Sequence, residues 1–273
     1  MILVFCTVNG LTNQINDIIS GISFCLINNY KFTFKNCQFR NKDLVSFYYE
    51  DFEKLFNISK LIKDLHILKN LYIDYNSIEL NKSNTFNIDN VWSSYLFNNN
   101  FEEEIKKIDK TYIILPYFHT ISKMENIVEI TNKILPSSKI INLYDNIKNS
   151  LFSDNQKYNC IHYRYEQDFI DHFKVKIEPF KTLFLRIKNK FKDKSLKIYI
   201  ACYNLKYIIN INDNIYNLIV IKDNYELEDV NYEELAYIDY LFAKNSEEFY
   251  GHSKSAFSVS LNNLKKTKNY YDI

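Results

Sequence analysis

A histidine and an arginine two residues apart, His162 and Arg164, with Glu166 and Asp168 close behind, form the segment of the sequence that points most strongly to chemistry. They belong to the segment Tyr158-Asn159-Cys160-Ile161-His162-Tyr163-Arg164-Tyr165-Glu166-Gln167-Asp168-Phe169. Tyr158 to Tyr163 has the length and apolar content of a strand. Side chains alternate along a strand, so His162 and Arg164 leave it on the same side at its carboxyl end. Ligands of open α/β sheets bind beyond that end. Arg164 is one of 3 arginines in a chain that otherwise uses lysine. A planar guanidinium can hold a diphosphate through two parallel hydrogen bonds, which an ammonium does less well. Fixed in place, it would also stabilise the charge that grows on a departing nucleoside diphosphate. Asp168 either orients Arg164 or touches the sugar. A surface His/Arg/Asp set beside a strand end would present the same residues.

Two further regions carry candidate chemistry. Asp239 lies in the apolar helical run Leu235-Ala236-Tyr237-Ile238-Asp239-Tyr240-Leu241-Phe242. A carboxylate near a buried face is costly unless paired, and a helix-surface Asp, or one pairing with a lysine, would present the same residue. Ser253 and Ser255 precede the last helical segment, where free N–H groups and the helix dipole favour phosphate, although plain N-caps would look alike. Two of the 3 glycines, Gly10 and Gly251, stand where a strand hands over to a helix. Backbone freedom or close approach by a ligand is the expected reason. Gly21, inside the first helix, is expected to permit tight packing.

The elements that must position these residues alternate in type. Ile2 to Val8 is a buried strand ended by Asn9-Gly10. Ile15, Ile18, Ile19, Ile22 and Leu26 then fall at helical spacing, with Thr12 or Asn13 placed to cap. Tyr30 to Phe34 is a second strand. Residues 43–65 and 90–107 read as helical, 111–115 as a strand, and 124–134 and 141–151 as helices. Ser153 to Lys157 is a polar linker. A second alternation follows: strands at 158–163, 196–202 and 218–221, helices at 180–191 and 232–243, a short strand at 248–250 and a closing helix at 256–264. The expected fold class is therefore α/β, with domains at 1–153 and 154–273, each Rossmann-like.

Composition narrows the function. The 34 basic and 33 acidic residues balance to +1, which excludes a general nucleic-acid binder. The 5 cysteines show no CxxC spacing and read as free buried thiols of a reducing compartment. No apolar run reaches the ~20 residues of a membrane span, and the opening apolar stretch lacks the marks of a signal peptide. A cytoplasmic protein without a membrane segment is expected. There is no D-x-D, no G-x-x-x-x-G-K-[ST] and no H-E-x-x-H, and His66, His119 and His172 are isolated, so no metal is expected. The first turn lacks G-x-G-x-x-G, which disfavours a dinucleotide enzyme.

The run His162-Tyr163-Arg164-Tyr165-Glu166-Gln167-Asp168-Phe169 resembles the H-x-R-x-x-x-D-[WF] pattern of the protein O-fucosyltransferases and their wider fucosyltransferase superfamily. Gly10-Leu11-Thr12-Asn13-Gln14 is similar to that family's G-x-x-N-Q element. Ile238-Asp239, Phe249-Tyr250-Gly251-His252 and Ser255-Ala256-Phe257-Ser258 resemble its helix Asp, F-[IV]-G-N and S-S-F-S elements, in the family's order. The resemblance implies a GT-B-like architecture of two Rossmann-like domains facing a cleft, the first on the acceptor side and the second binding the nucleotide sugar. It implies GDP-fucose as donor, no cofactor or metal, inversion at the anomeric carbon, and a hydroxyl acceptor on a protein, lipid or glycan. By this likeness Gly10 and Asn13 approach the donor, Arg164 grips the β-phosphate, and His162 and Asp168 support it. Asp239 reads guanine, while Ser253, Ser255, Ala256 and Phe257 wrap the nucleotide. Glu166 and Asp168 are base candidates by position, with Asp17 a distant third. The sequence departs from the pattern in lacking an arginine in the first turn, in Ala201-Cys202-Tyr203, in His252 and in Ala256. Those departures leave open a different nucleotide sugar, or a glycosyltransferase-derived binding protein without turnover.

Overall fold

A computed structural model of the protein describes residues 1–41, 46–88, 101–115, 127–176, 178–203, 208, 218–222 and 230–271. Within these, contacts divide the chain into two units, Met1–Ser138 and Lys139–Ile273. The α/β class expected from sequence is the class observed. The division falls earlier than position 153, because helix Ser138–Leu151 packs its Tyr144 on Phe242 (ring centroids 4.8 Å apart) in the second unit.

In the first unit, β1 (Ile2–Thr7) is the middle of a sheet ordered β3-β2-β1-β5-β4. Its continuous apolar run, buried from Leu3 onward, suits a strand covered on both faces. Parallel neighbours are β2 (Lys31–Arg40) and β5 (Tyr112–Leu115), and β4 (Thr85–Asn87) extends the flank beyond β5. The helix α1 (Leu11–Asn28) connects β1 to β2 and ends on Asn29 in the left-handed conformation, whose N–H bonds the Cys25 carbonyl. At Gly21 an added Cβ would lie 3.1 Å from the Phe5 ring, so the glycine lets α1 settle onto β1 as expected.

Three local expectations are corrected. Neither Thr12 nor Asn13 caps α1: Gly10 occupies the N-cap and makes no side-chain bond. Its φ of −66° suits any residue, and what crowds it is the Arg40 guanidinium, 3.0 Å from an added Cβ. The stretch read as one helix over 43–65 instead contains strand β3 (Phe47–Asp51), antiparallel to β2, before helix α2 (Ile58–Asp64). Phe47-Tyr48-Tyr49 favours a strand edge, and α2 begins only where the Asn57 side chain accepts from the Lys60 N–H. Short helices α3 (Phe101–Lys106) and α4 (Ile127–Lys133) complete the described part of this unit. Residues 90–100 of the expected helix, together with Pro116 and His119, lie outside the described residues.

The second unit opens at Lys139, inside α5 (Ser138–Leu151), and builds a sheet ordered β10-β9-β6-β7-β8, all neighbours parallel. Its strands are β6 (Tyr158–His162), β7 (Lys197–Ala201), β8 (Ile219–Val220), β9 (Phe249–His252) and β10 (Tyr270–Tyr271). Helices α6 (Gln167–Phe173), α7 (Phe180–Lys188), α8 (Tyr232–Asn245) and α9 (Ala256–Leu264) are interleaved. The helix α8 starts with a capping box between Asn231 and Glu234. The α7 face bearing Phe180, Leu183, Phe184 and Ile187 packs with Ile161, Ile198 and Ile200 in the core. On the other side of the sheet, Tyr199 stacks on Phe242 of α8 at 4.0 Å.

Candidate functional site

The second sheet changes direction at β6. The chain moves outward to β7 and β8 on one flank, then to β9 and β10 on the other. Loops leaving such a switch point diverge and open a crevice beyond the strand ends. Here the crevice is a pocket with about 390 Å³ of empty space, part of it open to solvent. His162, Arg164 and Glu166 line it from the end of β6, Lys222 from beyond β8, Asp239 from α8 and Phe257 from α9.

Arg164 is fixed before any ligand arrives. Its Nε lies 3.2 Å from Glu166 Oε2, and its Nη1 donates to Glu166 Oε1 at 3.5 Å and to the Tyr232 hydroxyl at 3.4 Å. The guanidinium carbon sits 5.4 Å from the centre of the Phe169 ring. The strand tip beneath is held by Tyr271, whose hydroxyl donates to the His162 carbonyl and accepts from the Arg164 N–H at 3.3 Å. A guanidinium so constrained loses little freedom on meeting an anion. Glu166 also accepts from the Tyr165 N–H at 3.1 Å. Its carboxylate is committed to orienting Arg164, a poor arrangement for taking a proton from an acceptor.

His162 is buried, with Nδ1 2.9 Å from the Ser258 hydroxyl and its ring 4.4 Å from that of Phe257. Burial holds its pKa well below the ordinary value, reinforced by Arg164, His252 and Lys222, so the imidazole is neutral at pH 7. The same serine explains Gly251. A Cβ there would come 2.2 Å from Ser258 Oγ, so the glycine admits α9 against β9. The close approach expected at this position is made by the protein's own side chain.

Ser255 is the N-cap residue of α9, yet its side chain makes no capping bond. Together with half-buried Ser253 and the exposed start of the helix at Ala256, it leaves first-turn N–H groups for an anion. The side chain of Asp168, in the first turn of α6, lies outside the described residues.

Asp239 is paired, as its burial demanded. Its Oδ2 accepts from Lys222 Nζ at 2.6 Å and its Oδ1 from the Tyr199 hydroxyl at 2.7 Å. Burial pushes its carboxyl above the ordinary range, against the opposing pull of Lys222 and Tyr199. The lysine foreseen as a partner for this carboxylate is present, and Asp239 lines the pocket.

In the first unit, Gly10 and half-buried Asn13 stand at the start of α1, where the Asn13 N–H bonds the Gly10 carbonyl at 2.9 Å. Gln14 is fully buried and works structurally. Its amide donates to the Asn9 and Gln38 carbonyls and accepts from Thr7 Oγ1 and the Gln38 N–H. Asp17, the most distant base candidate, is 1% exposed and accepts from the Val8 N–H at 3.2 Å. Its place is inside the turn.

Sequence reasoning missed Lys222, Tyr199, Tyr232 and Tyr271. Lys222 carried a usable signal, a lysine directly after the apolar run Leu218–Ile221, in the strand-end position that singled out Arg164. Nothing local marks Tyr271. No group of three or more His, Cys, Asp or Glu able to hold a metal exists among the described residues. Among the same residues no helix is long and apolar enough to cross a membrane.

No protein-family model matches the chain, and no curated protein sequence does. Solved structures do match over nearly its whole length. POFUT1 in complex with GDP superposes with a TM-score of 0.68 at 10% identity, covering 98% of this chain and 96% of that one. POFUT1 in complex with GDP-fucose gives 0.67 at 10% identity, covering 97% and 94%. The fucosyltransferase NodZ from Bradyrhizobium gives 0.60 at 12% identity, covering 96% and 91%. The chain shares the fold of these fucosyltransferases.

Proposed function

We propose that the protein is an inverting, metal-independent glycosyltransferase that moves fucose from GDP-fucose to a hydroxyl of a protein or glycan acceptor. One observation carries the reading: Arg164, locked by Glu166 and Tyr232 at a strand end, lines a pocket beside neutral His162 and close to the start of α9. That is the equipment a leaving diphosphate requires. In this reading Arg164 holds the β-phosphate, and Ser253, Ser255 and Ala256 receive phosphate oxygens at the start of α9. His162, hydrogen-bonded to Ser258, supports the phosphate side as a neutral donor. Phe257 covers the nucleotide and Asp239 meets its base.

The acceptor oxygen attacks the anomeric carbon from the face opposite the diphosphate, the carbon–oxygen bond to the β-phosphate breaks, and the electron pair leaves with GDP. The acceptor proton passes to a carboxylate, for which Asp168 remains the candidate once Glu166 is committed to Arg164 and Asp17 to its turn. In this reading the first domain is the acceptor side and the second the donor side, and Asn13 is the first domain's candidate for orienting the donor sugar. The five free, buried thiols fit a cytoplasmic setting.

Titration calorimetry with GDP and GDP-fucose tests the reading. GDP should bind, and Arg164→Ala should weaken it about a hundredfold, the worth of charged hydrogen bonds to phosphate. A protein with no affinity for GDP, GDP-fucose or UDP would end the proposal. Binding without donor consumption would identify instead a nucleotide-binding relative that has lost turnover.

A further inference from the structure

Asp239 does not stand alone on the pocket wall. Lys222, only 2% exposed, is clamped between two fixed acceptors, the Cys202 carbonyl at 2.8 Å and Asp239 Oδ2 at 2.6 Å. Both charged side chains line the pocket. An ammonium has three N–H donors and a carboxylate about four lone-pair sites. The Tyr199 hydroxyl, Lys222 and the Cys202 backbone engage the carboxylate from within. Counted over the described residues, the pair can still offer a ligand one N–H of the ammonium beside one acceptor site of the carboxylate. A buried ion pair gains little over an apolar pair of equal size. Its position on a pocket wall is accounted for by a ligand edge that needs a donor and an acceptor side by side.

We propose that Lys222 is a base-specificity residue which, together with Asp239, selects nucleotides whose base presents a carbonyl next to a ring N–H. The proposal rests on the nucleotide-sugar reading above and identifies what would fix the base. Guanine and hypoxanthine place O6 beside N1–H, so the carbonyl accepts from Lys222 while N1–H donates to Asp239. Adenine inverts the pattern. Its amino group meets an ammonium and its N1 lone pair meets a carboxylate, so neither contact forms and two buried charges lose their solvent without replacement. Uracil shares the guanine pattern at O4 and N3–H, and cytosine shares the adenine pattern, so the class is defined by the edge and not by ring size.

Calorimetry of the whole chain with GDP, IDP and ADP, three nucleotides of nearly equal size, provides the test. GDP and IDP should bind within about tenfold of one another, and ADP at least about a hundredfold more weakly, the cost of losing two charged hydrogen bonds. Lys222→Met should bring the GDP-to-ADP ratio within about tenfold. Because that variant leaves a buried carboxylate unpaired, Lys222→Met/Asp239→Asn, which removes both charges together, should be made beside it and should show the same loss of discrimination. If the pair served structure alone, the melting temperature would fall in both variants while the ratio stayed at its native value, and the proposal would be overturned. Equal binding of GDP and ADP by the native protein would overturn it as well, leaving the glycosyltransferase reading intact. Failure of all three nucleotides, and of UDP measured beside them, to bind would remove that reading and the assignment of Lys222 together.

Discussion

The two strand-to-helix turns that carry family-like motifs solve opposite problems. At the end of β1, polar side chains face inward and satisfy the turn's own backbone: buried Gln14 makes four hydrogen bonds and Asp17 receives the Val8 N–H. At the end of β6, polar side chains brace one another and present a cation to a pocket: Glu166 and Tyr232 hold Arg164, and Ser258 holds His162. A motif of polar residues after a strand can therefore mean a self-satisfied turn or a prepared site. The difference lies in where the hydrogen bonds end.

The sharpest way to break this contrast is Gln14→Ala. Four buried hydrogen bonds at about 1 kcal/mol each should make it cost about 3–4 kcal/mol in urea unfolding, with GDP affinity of the protein that remains folded unaltered. A loss of GDP affinity in folded protein would show that the first turn is itself a binding element. Next in size is Gly251→Ala, where overpacking against Ser258 should cost roughly 1–3 kcal/mol in urea unfolding. An unaltered unfolding midpoint would mean that α9 does not depend on the glycine to reach β9.

The neutral imidazole of His162 gives a smaller, pH-dependent effect. Its folded pKa lies well below the ordinary 6.5, so the unfolded chain takes up a proton first as the pH falls. Stability from this residue is full above about pH 6.5 and declines below it, by up to ~1.4 kcal/mol per pH unit, until the folded pKa is reached. In His162→Gln that slope should vanish from unfolding measured between pH 7 and 5; an unchanged slope would place the proton elsewhere. Smallest on stability is Asn13→Ala, expected within ~0.5 kcal/mol because its side chain lies outside the buried network, yet it should slow transfer with GDP affinity retained. Equal losses in affinity and rate would assign Asn13 to the nucleotide instead.

Much of this was legible from residue order. Long apolar runs bounded by turn residues located β1, β6, β7, α1 and α8, because period and burial act within a few residues. The rule that ligands gather beyond parallel strand ends chose His162 and Arg164 and, applied evenly, would have reached Lys222. Expectations failed where distant contacts decide. Residues 47–51 became a strand by pairing with β2, and Glu166 became an arginine partner through the path the chain takes after β6. Gly10 and Gly251, expected to give backbone freedom or room for a ligand, are each crowded by a side chain from another element, Arg40 in one case and Ser258 in the other.

The Tyr271 bridge bears on the order in which the molecule is made. The Arg164 N–H and the His162 carbonyl wait for a hydroxyl that follows 107 and 109 residues later. On a ribosome adding about 5–20 residues per second, the cation-bearing strand tip leaves the tunnel roughly 5–20 s before its lock exists. Nascent chains would thus hold the Arg164 strand tip without this brace until at least 107 further residues have been added, however early β6 itself pairs.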